Sequence, residues 1–357
     1  MIRATSLSSI KNHLYGTPSE DSITTYPDTN TDVTTLPDPD ERLAIDRRAN
    51  ATFVILCRNS DLDGTIRSIR ENEDRFNRKY QYPYVLLNEV LFTEEFKRRI
   101  RVLTNAKVEF GLIPPEHWYQ PDWIDEAKAT EGRENMVANN IIYGGSVSST
   151  GGTGESSLMS TSTVTSTRIR SCLWKRIIKP IVHGNPAPLE IPCADHTLAF
   201  TITMYEYEAT IPTLWKEVRD FQKLHPEYIA EDNALGFMSD NGERYNLCHF
   251  WSNFEIADMD FWRGEAYSAF FEYLDSKGGF YYERWGDAPV HSIGAALFLP
   301  RSKIHFWDEI GYEHNPYTHC PRMGNNWQHG RCSCDPQRSF DFDNYSCMNK
   351  WDRFMER

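Results

Sequence analysis

Residues 51–88 read ATFVILCRNSDLDGTIRSIRENEDRFNRKYQYPYVLLN, and their pattern sets the fold class. Ala51–Cys57 is a short apolar run suited to a buried strand. Arg58-Asn59-Ser60-Asp61 then opens a turn. Leu62–Tyr80 predicts an amphipathic helix, with Ile66, Ile69 and Phe76 on one face. Tyr84–Asn88 (YVLLN) is a second buried strand.

Outward from this stretch the alternation continues. Thr93-Glu94-Glu95 starts a helix that runs through Leu103, and Val108–Leu112 is a third strand. Alternating strands and helices predict an α/β fold with a mostly parallel sheet. From Leu198 the sequence reads as strand, loop, then a helix over 213–225. Asn246–Ala257 (NLCHFWSNFEIA) is polar and aromatic and does not read as plain core, whereas Phe261–Gly278 predicts a helix with an aromatic stripe and Ile293–Leu299 a further helical stretch. Upstream, 1–49 is rich in Thr, Ser, Asp and Pro without periodicity and reads as a disordered stem ahead of one domain, 50–357.

The 357 residues carry a net charge of −13, which argues against nucleic acid as a partner. Aromatic residues make up 13%, enough for a core and for stacking on a flat ligand. No apolar run reaches the roughly 18 residues of a membrane span, and no signal-peptide core is present. Of eight Cys, four crowd the tail over 315–357: Cys320, Cys332, Cys334 and Cys347. With His319 and His329 nearby a zinc site is one reading, but Cys332-x-Cys334 lacks the usual zinc-knuckle spacing. A disulfide-stapled tail fits better, in keeping with the sequons at Asn50 and Asn344.

Long strings of unusual residues carry a family resemblance. They include FTITMYEYEATIPTLW, NLCHFWSNFEIADMDFWRGEAY, GGFYYERWGDAPVHSIGAALFLP and GRCSCDP, and with the opening stretch they cover about 50–148 and 198–347. The chain resembles the fungal Kre2/Mnt1/Ktr α-1,2-mannosyltransferases of glycosyltransferase family 15. The resemblance implies a GT-A fold, a Rossmann-like mixed sheet flanked by helices. It also implies GDP-mannose as donor, Mn²⁺ as cofactor, mannosylated glycoproteins as acceptors, and a type II Golgi membrane protein with its catalytic domain in the lumen.

The same resemblance assigns roles. His291, in Gly286-Asp287-Ala288-Pro289-Val290-His291, matches the family's metal-binding His. Asp287, one helical turn earlier, either joins the metal or caps the helix. Glu255 matches the proposed catalytic carboxylate, which suits a retaining transfer from an α-linked donor to an α-linked product. Arg58 and Ser60 follow the first strand, where α/β sheets bind nucleotides, and are expected on the guanosine diphosphate. Tyr143, Tyr205, Glu206, Tyr207, Trp251 and Asn253 are expected to line the sugar and acceptor pocket; for the aromatic ones, ordinary packing is the competing explanation.

One block departs from the family. After YGGSVS the family continues with Cys-Arg-Phe-x-Ser-Gly-Phe and then Trp-Arg-x-Glu-Pro-Asp-Val, whose carboxylate binds the metal. This chain instead has a Ser/Thr/Gly-rich run. Val-Glu-Pro-Asp-Val-His encoded GTC GAG CCT GAT GTC CAC gives Ser-Ser-Leu-Met-Ser-Thr when read one base later, which is Ser156–Thr161. The segment 149–195 therefore reads as containing a frame-shifted translation that disrupts the centre of the domain. The expectation is an impaired enzyme as written. A non-catalytic, glycan-binding or assembly-partner relative of the same fold is the alternative, and a stapled carbohydrate-binding domain is a third. The missing anchor has a parallel explanation, since the family carries a membrane span ahead of its polar stem.

Overall fold

The structure is a computed structural model that describes residues 51–141, 164–165, 196–324, 327 and 332–356. The 1–49 stem, most of the 149–195 segment, Tyr143 and His329 lie outside the described residues.

The N-terminal half is built as the pattern of 51–112 demands. β1 (Phe53–Leu56) leads through a turn into α1 (Leu62–Asn72). The helical path then passes through a π-helical stretch, Glu73–Asn77, and a last turn ending at Tyr80. Gln81 takes a positive φ of 52° and redirects the chain into β2 (Tyr84–Asn88). α2 (Glu94–Arg101) starts at Thr93, whose hydroxyl accepts from the Phe96 N–H, and β3 (Val108–Leu112) follows. β1 pairs parallel with β2, and β2 with β3. α3 (Glu126–Ala138) then runs to the edge of the described segment. β4 (Val164–Thr165) adds antiparallel to β1, giving the order β3-β2-β1-β4.

The C-terminal half holds a second sheet. β5 (Leu198–Phe200) is followed by β6 (Thr203–Tyr205), α4 (Leu214–Leu224), α5 (Leu235–Met238) and a hairpin of β7 (Ser239–Asp240) and β8 (Arg244–Tyr245). β9 (Cys248–Phe250) pairs antiparallel with β6. β10 (Glu255–Ala257) pairs antiparallel with β5. Then come α6 (Met259–Trp262), α7 (Glu265–Lys277), α8 (Gly279–Tyr282) and α9 (Asp287–Phe298). β11 (Ile304–Phe306) pairs parallel with β5, closing the order β10-β5-β11. β12 (Tyr312–His314) and β13 (Tyr317–His319) form a hairpin, and α10 (Met348–Met355) follows. The sheets are mixed, so the architecture is α/β with antiparallel strands flanking parallel ones.

Two apolar cores explain the layers. Phe53, Ile69, Phe76, Tyr84, Leu86, Phe96 and Ile100 pack α1 and α2 on the first sheet, and Ala199, Ile256 and Trp307 of the second half join this cluster. The larger core gathers Leu214, Val218, Phe221, Phe270, Ile293, Leu297 and Trp351. α9 is buried almost all round, as expected for so apolar a helix.

The tail is stapled, as its cysteines suggest: Cys320 bonds Cys334, and Cys248 of β9 bonds Cys347 just before α10. Cys332 is a free thiol. The zinc reading fails on its donors. His319 is fully buried with Nδ1 2.9 Å from Asp341 Oδ2, while two of the cysteines it would need are bonded to each other. Arg322 completes the tail's anchorage, its Nη1 donating to Asp352 at 2.6 Å and its backbone N to Asp308 at 2.9 Å.

Candidate active site

The polar-aromatic segment 246–257 is where core-like patterning stops, and the reason is now visible. It forms β9, a tight connection Trp251–Phe254, and β10, with Glu255 as the first residue of β10 and only 4% exposed. α9 lies against β9: Ser292 Oγ accepts from the Phe250 N–H at 2.7 Å. That packing brings His291, on the same helix, to Glu255. Its Nδ1 is 3.4 Å from Glu255 Oε1 and 3.5 Å from Oε2. The two resemblance-derived residues thus meet across 36 positions of sequence.

The electrostatics follow from this geometry. Burial favours a neutral His291, but the Glu255 carboxylate, aided by Asp287, outweighs it and raises the imidazole above its ordinary value. Glu255 Oε1 is buried and accepts no hydrogen bond from the described residues. The Trp262 ring lies 4.5 Å from the His291 ring and Tyr267 stands edge-on at 5.9 Å, walling the pair.

Asp287 is the first residue of α9, and Ser252 Oγ donates to its Oδ2 at 2.6 Å. Its carboxylate therefore fastens the connection just before Glu255 to the helix carrying His291, a positioning role beside the two anticipated ones. Glu206, after β6, is raised above the usual carboxylate range by burial and by Asp287, against the Tyr207 N–H and Arg284, which lower it. The Tyr207 N–H donates to its Oε1 at 2.8 Å.

Several buried polar groups of the stretch carrying Glu255 lack partners among the described residues. Buried polar atoms normally find partners, so orphans call for an explanation. Among the described residues, His249 Nδ1, both polar atoms of the Asn253 side chain, Glu255 Oε1 and Trp262 Nε1 are buried without one. They lie between positions 249 and 262, the stretch of chain that carries Glu255.

The other expected residues fall in two places. Trp251 contacts His314 and Tyr317 with ring centroids at 4.7 and 5.7 Å. Tyr205 and Tyr207 both face Tyr345, at 6.2 and 6.1 Å. Tyr312, Tyr317 and Tyr345 join this aromatic group from the C-terminal part of the chain; sequence reading missed them because nothing local marks a Tyr 60 or more positions away. Arg58 and Ser60 belong to a second group, at the carboxyl ends of β1 and β2. There Arg58 Nε is 3.4 Å from Glu89 Oε1, and Ser60 Oγ donates to Asp61 at 3.2 Å.

No group of three His, Cys, Asp or Glu side chains placed to hold a metal occurs among the described residues. A hard divalent cation at a nucleotide site needs only one or two protein ligands, the rest being phosphate and water. His291, with its side chain 26% exposed, could supply one such ligand.

Solved structures align with this chain over most of its length. The Ktr4p mannosyltransferase of Saccharomyces cerevisiae, solved in complex with GDP, aligns with a TM-score of 0.70 at 32% identity, over 85% of this chain and 81% of that one. Core-mannan synthase A (CmsA/Ktr4) of Aspergillus fumigatus, in its Mn/GDP form, aligns at 0.67 and 31% identity over 84% of each chain. By sequence, the glycolipid 2-alpha-mannosyltransferase 2 of Candida albicans is 46% identical over 324 residues, covering 85% of this chain and 67% of that protein. These relatives place the chain among the glycosyltransferases. Within that class the chain belongs to the glycolipid 2-alpha-mannosyltransferase family, whose model matches residues 9–150 and 194–356. No helix among the described residues is long and apolar enough to cross a membrane.

Proposed function

We propose that this protein is a retaining α-1,2-mannosyltransferase of GT-A fold, moving mannose from GDP-mannose to mannoside ends of glycoproteins in the Golgi lumen. The observation that carries the reading is the buried Glu255 carboxylate held 3.4 Å from His291 Nδ1, its Oε1 accepting no hydrogen bond among the described residues. Family membership, the Candida relative and the GDP and Mn/GDP neighbours support the donor and the cation. Type II anchoring rests on the family resemblance.

In this mechanism Glu255 faces the anomeric carbon opposite the leaving diphosphate. It either attacks C1 or stabilises the oxocarbenium-like charge, so configuration is retained. His291 would hold the Mn²⁺, which would supply charge neutralisation for the diphosphate. Arg58 and Ser60 hold the same diphosphate. Tyr205, Tyr207 and Trp251 stack on sugar rings and Glu206 and Asn253 hydrogen-bond hydroxyls; Tyr143, outside the described residues, is kept as a sugar contact on the family resemblance alone. Asp287 aligns Glu255 with His291 through Ser252.

The chain as written is proposed to be impaired, because 149–195 lacks the family's metal carboxylate; the gap in the family match between 150 and 194 supports this. A non-catalytic relative is the reading this same gap favours if repair restores nothing. The test measures Mn²⁺-dependent transfer from GDP-mannose to methyl α-mannoside for two chains: this one, and one carrying the in-frame Glu-Pro-Asp-Val block. We expect the repaired chain to be at least about 100-fold faster, and Glu255→Ala in it to abolish transfer. Equal rates overturn the impairment. A repaired chain that binds GDP without transferring mannose favours the non-catalytic reading.

A further inference from the structure

The loops after β1 and β2 are tied into one frame. Asn59 Nδ2 donates to the Leu91 carbonyl at 3.1 Å, and Asn59 Oδ1 accepts from the Thr93 N–H at 3.0 Å. Asn88 Oδ1 accepts from the Glu89 N–H at 3.0 Å and sets the backbone where β2 ends. This frame presents Glu89 beside Arg58, with the apolar Val90 and Leu91 next to it at 51% and 73% exposure. Glu89 is only 19% exposed. One of its oxygens stands 3.4 Å from Arg58 Nε; the other, Oε2, is buried and accepts nothing among the described residues.

A half-buried carboxylate with an idle oxygen, at the strand ends where α/β sheets bind nucleotides, is built for a ligand that offers donors. Among the bases, guanine alone presents two parallel donors on one edge, N1–H and the N2 amino group. Uracil offers one N–H there, and adenine turns a lone pair toward it. Exposed Val90 and Leu91 supply the apolar surface that a base face needs. We infer that Glu89 is the residue that selects guanine in the donor, accepting from N1–H and N2–H while Arg58 takes the adjoining diphosphate. The inference rests on the GDP-mannose reading of the site.

Isothermal titration of GDP, IDP and UDP, with Mn²⁺ present, tests it on this chain and its Glu89→Gln variant; the variant is isosteric, and its melting curve checks the fold. IDP lacks only the N2 amino group. We expect wild type to prefer GDP over IDP about tenfold, and Glu89→Gln to lose about 10- to 100-fold in GDP affinity with the GDP-to-IDP ratio falling toward one. A carboxylate that merely held Arg58 would weaken GDP and IDP equally, so an unchanged ratio overturns the inference while leaving the donor reading intact. If neither this chain nor the one carrying the in-frame Glu-Pro-Asp-Val block binds any of the three, both readings are overturned.

Discussion

His249 lies in β9 opposite Met204 of β6, 3% exposed, and burial holds its imidazole down to about 4 even though Asp287 pulls the other way. The folded chain thus keeps this His neutral. Its folded value lies below the unfolded value of about 6.5, so its contribution is full above that pH and is lost as pH falls from there toward 4. Burial of the ring penalises its protonation in the folded state, so acid works against the fold here. Urea melts at stepped pH should show stability dropping through this window, and His249→Leu should flatten the drop; an unchanged slope would assign the acid sensitivity elsewhere. Cys57 shows the opposite direction. Burial, with a smaller push from Asp61 and against a Thr65 hydrogen bond, raises its thiol to about 12. It should resist iodoacetamide at pH 8 in the folded protein and react once unfolded, read by mass spectrometry. Motif strings were enough to single out Glu255 and His291, because both sit in long runs of unusual residues. They said nothing of the Ser252–Asp287 bond or of Glu89, whose meaning depends on contacts that only the fold creates.

At the scale of elements, β2 and β3 coincide with their sequence prediction, and Thr93 caps α2 as its Thr-Glu-Glu pattern implies. The 62–80 helix is less simple. Glu73 is buried and accepts from Asn77 Nδ2 at 3.0 Å and from the Tyr84 hydroxyl at 2.8 Å, and the backbone widens to a π-helical path across it. Hydrophobic spacing carries no record of such a polar anchor. Glu73→Ala should cost about 2–3 kcal/mol by stranding its partners, measured by chemical denaturation. Likewise the predicted 261–278 helix is broken between α6 and α7 at Gly264, where an added Cβ would lie 3.0 Å from the Phe261 carbonyl oxygen. α3 went unread because its apolar residues form no stripe. Its Gly132 passes so close to Tyr282 of α8 that a Cβ would meet the Tyr282 carbonyl oxygen at 2.2 Å. Gly132→Ala should therefore force α3 and α8 apart and cost about 1–3 kcal/mol, seen as a lowered melting temperature.

At the scale of the molecule, the alternation of 51–112 pointed to an α/β fold, but not to the second, mixed sheet. Its strands are three residues each, too short for period-two patterning to show, and its pairings join residues far apart: Glu255 with Phe200, Ile304 with Leu198. The tail's cysteines signalled staples without revealing partners, and one partner, Cys248, lies in β9, far upstream of the tail cluster. Replacing Cys248 and Cys347 together by Ala should lower stability by about 2–5 kcal/mol, checked by denaturant titration under non-reducing conditions.

That bond also defines a ring. Glu255, Asp287 and His291 all lie between Cys248 and Cys347, and the Cys320–Cys334 link is nested inside the same loop. A protease that cuts once anywhere in the ring leaves two fragments still joined covalently, with the carboxylate and the imidazole on one continuous body. Such a nick is invisible on a non-reducing gel and appears only when the bond is reduced. The working pair is thus insured against single breaks in an oxidising environment and exposed to them in a reducing one.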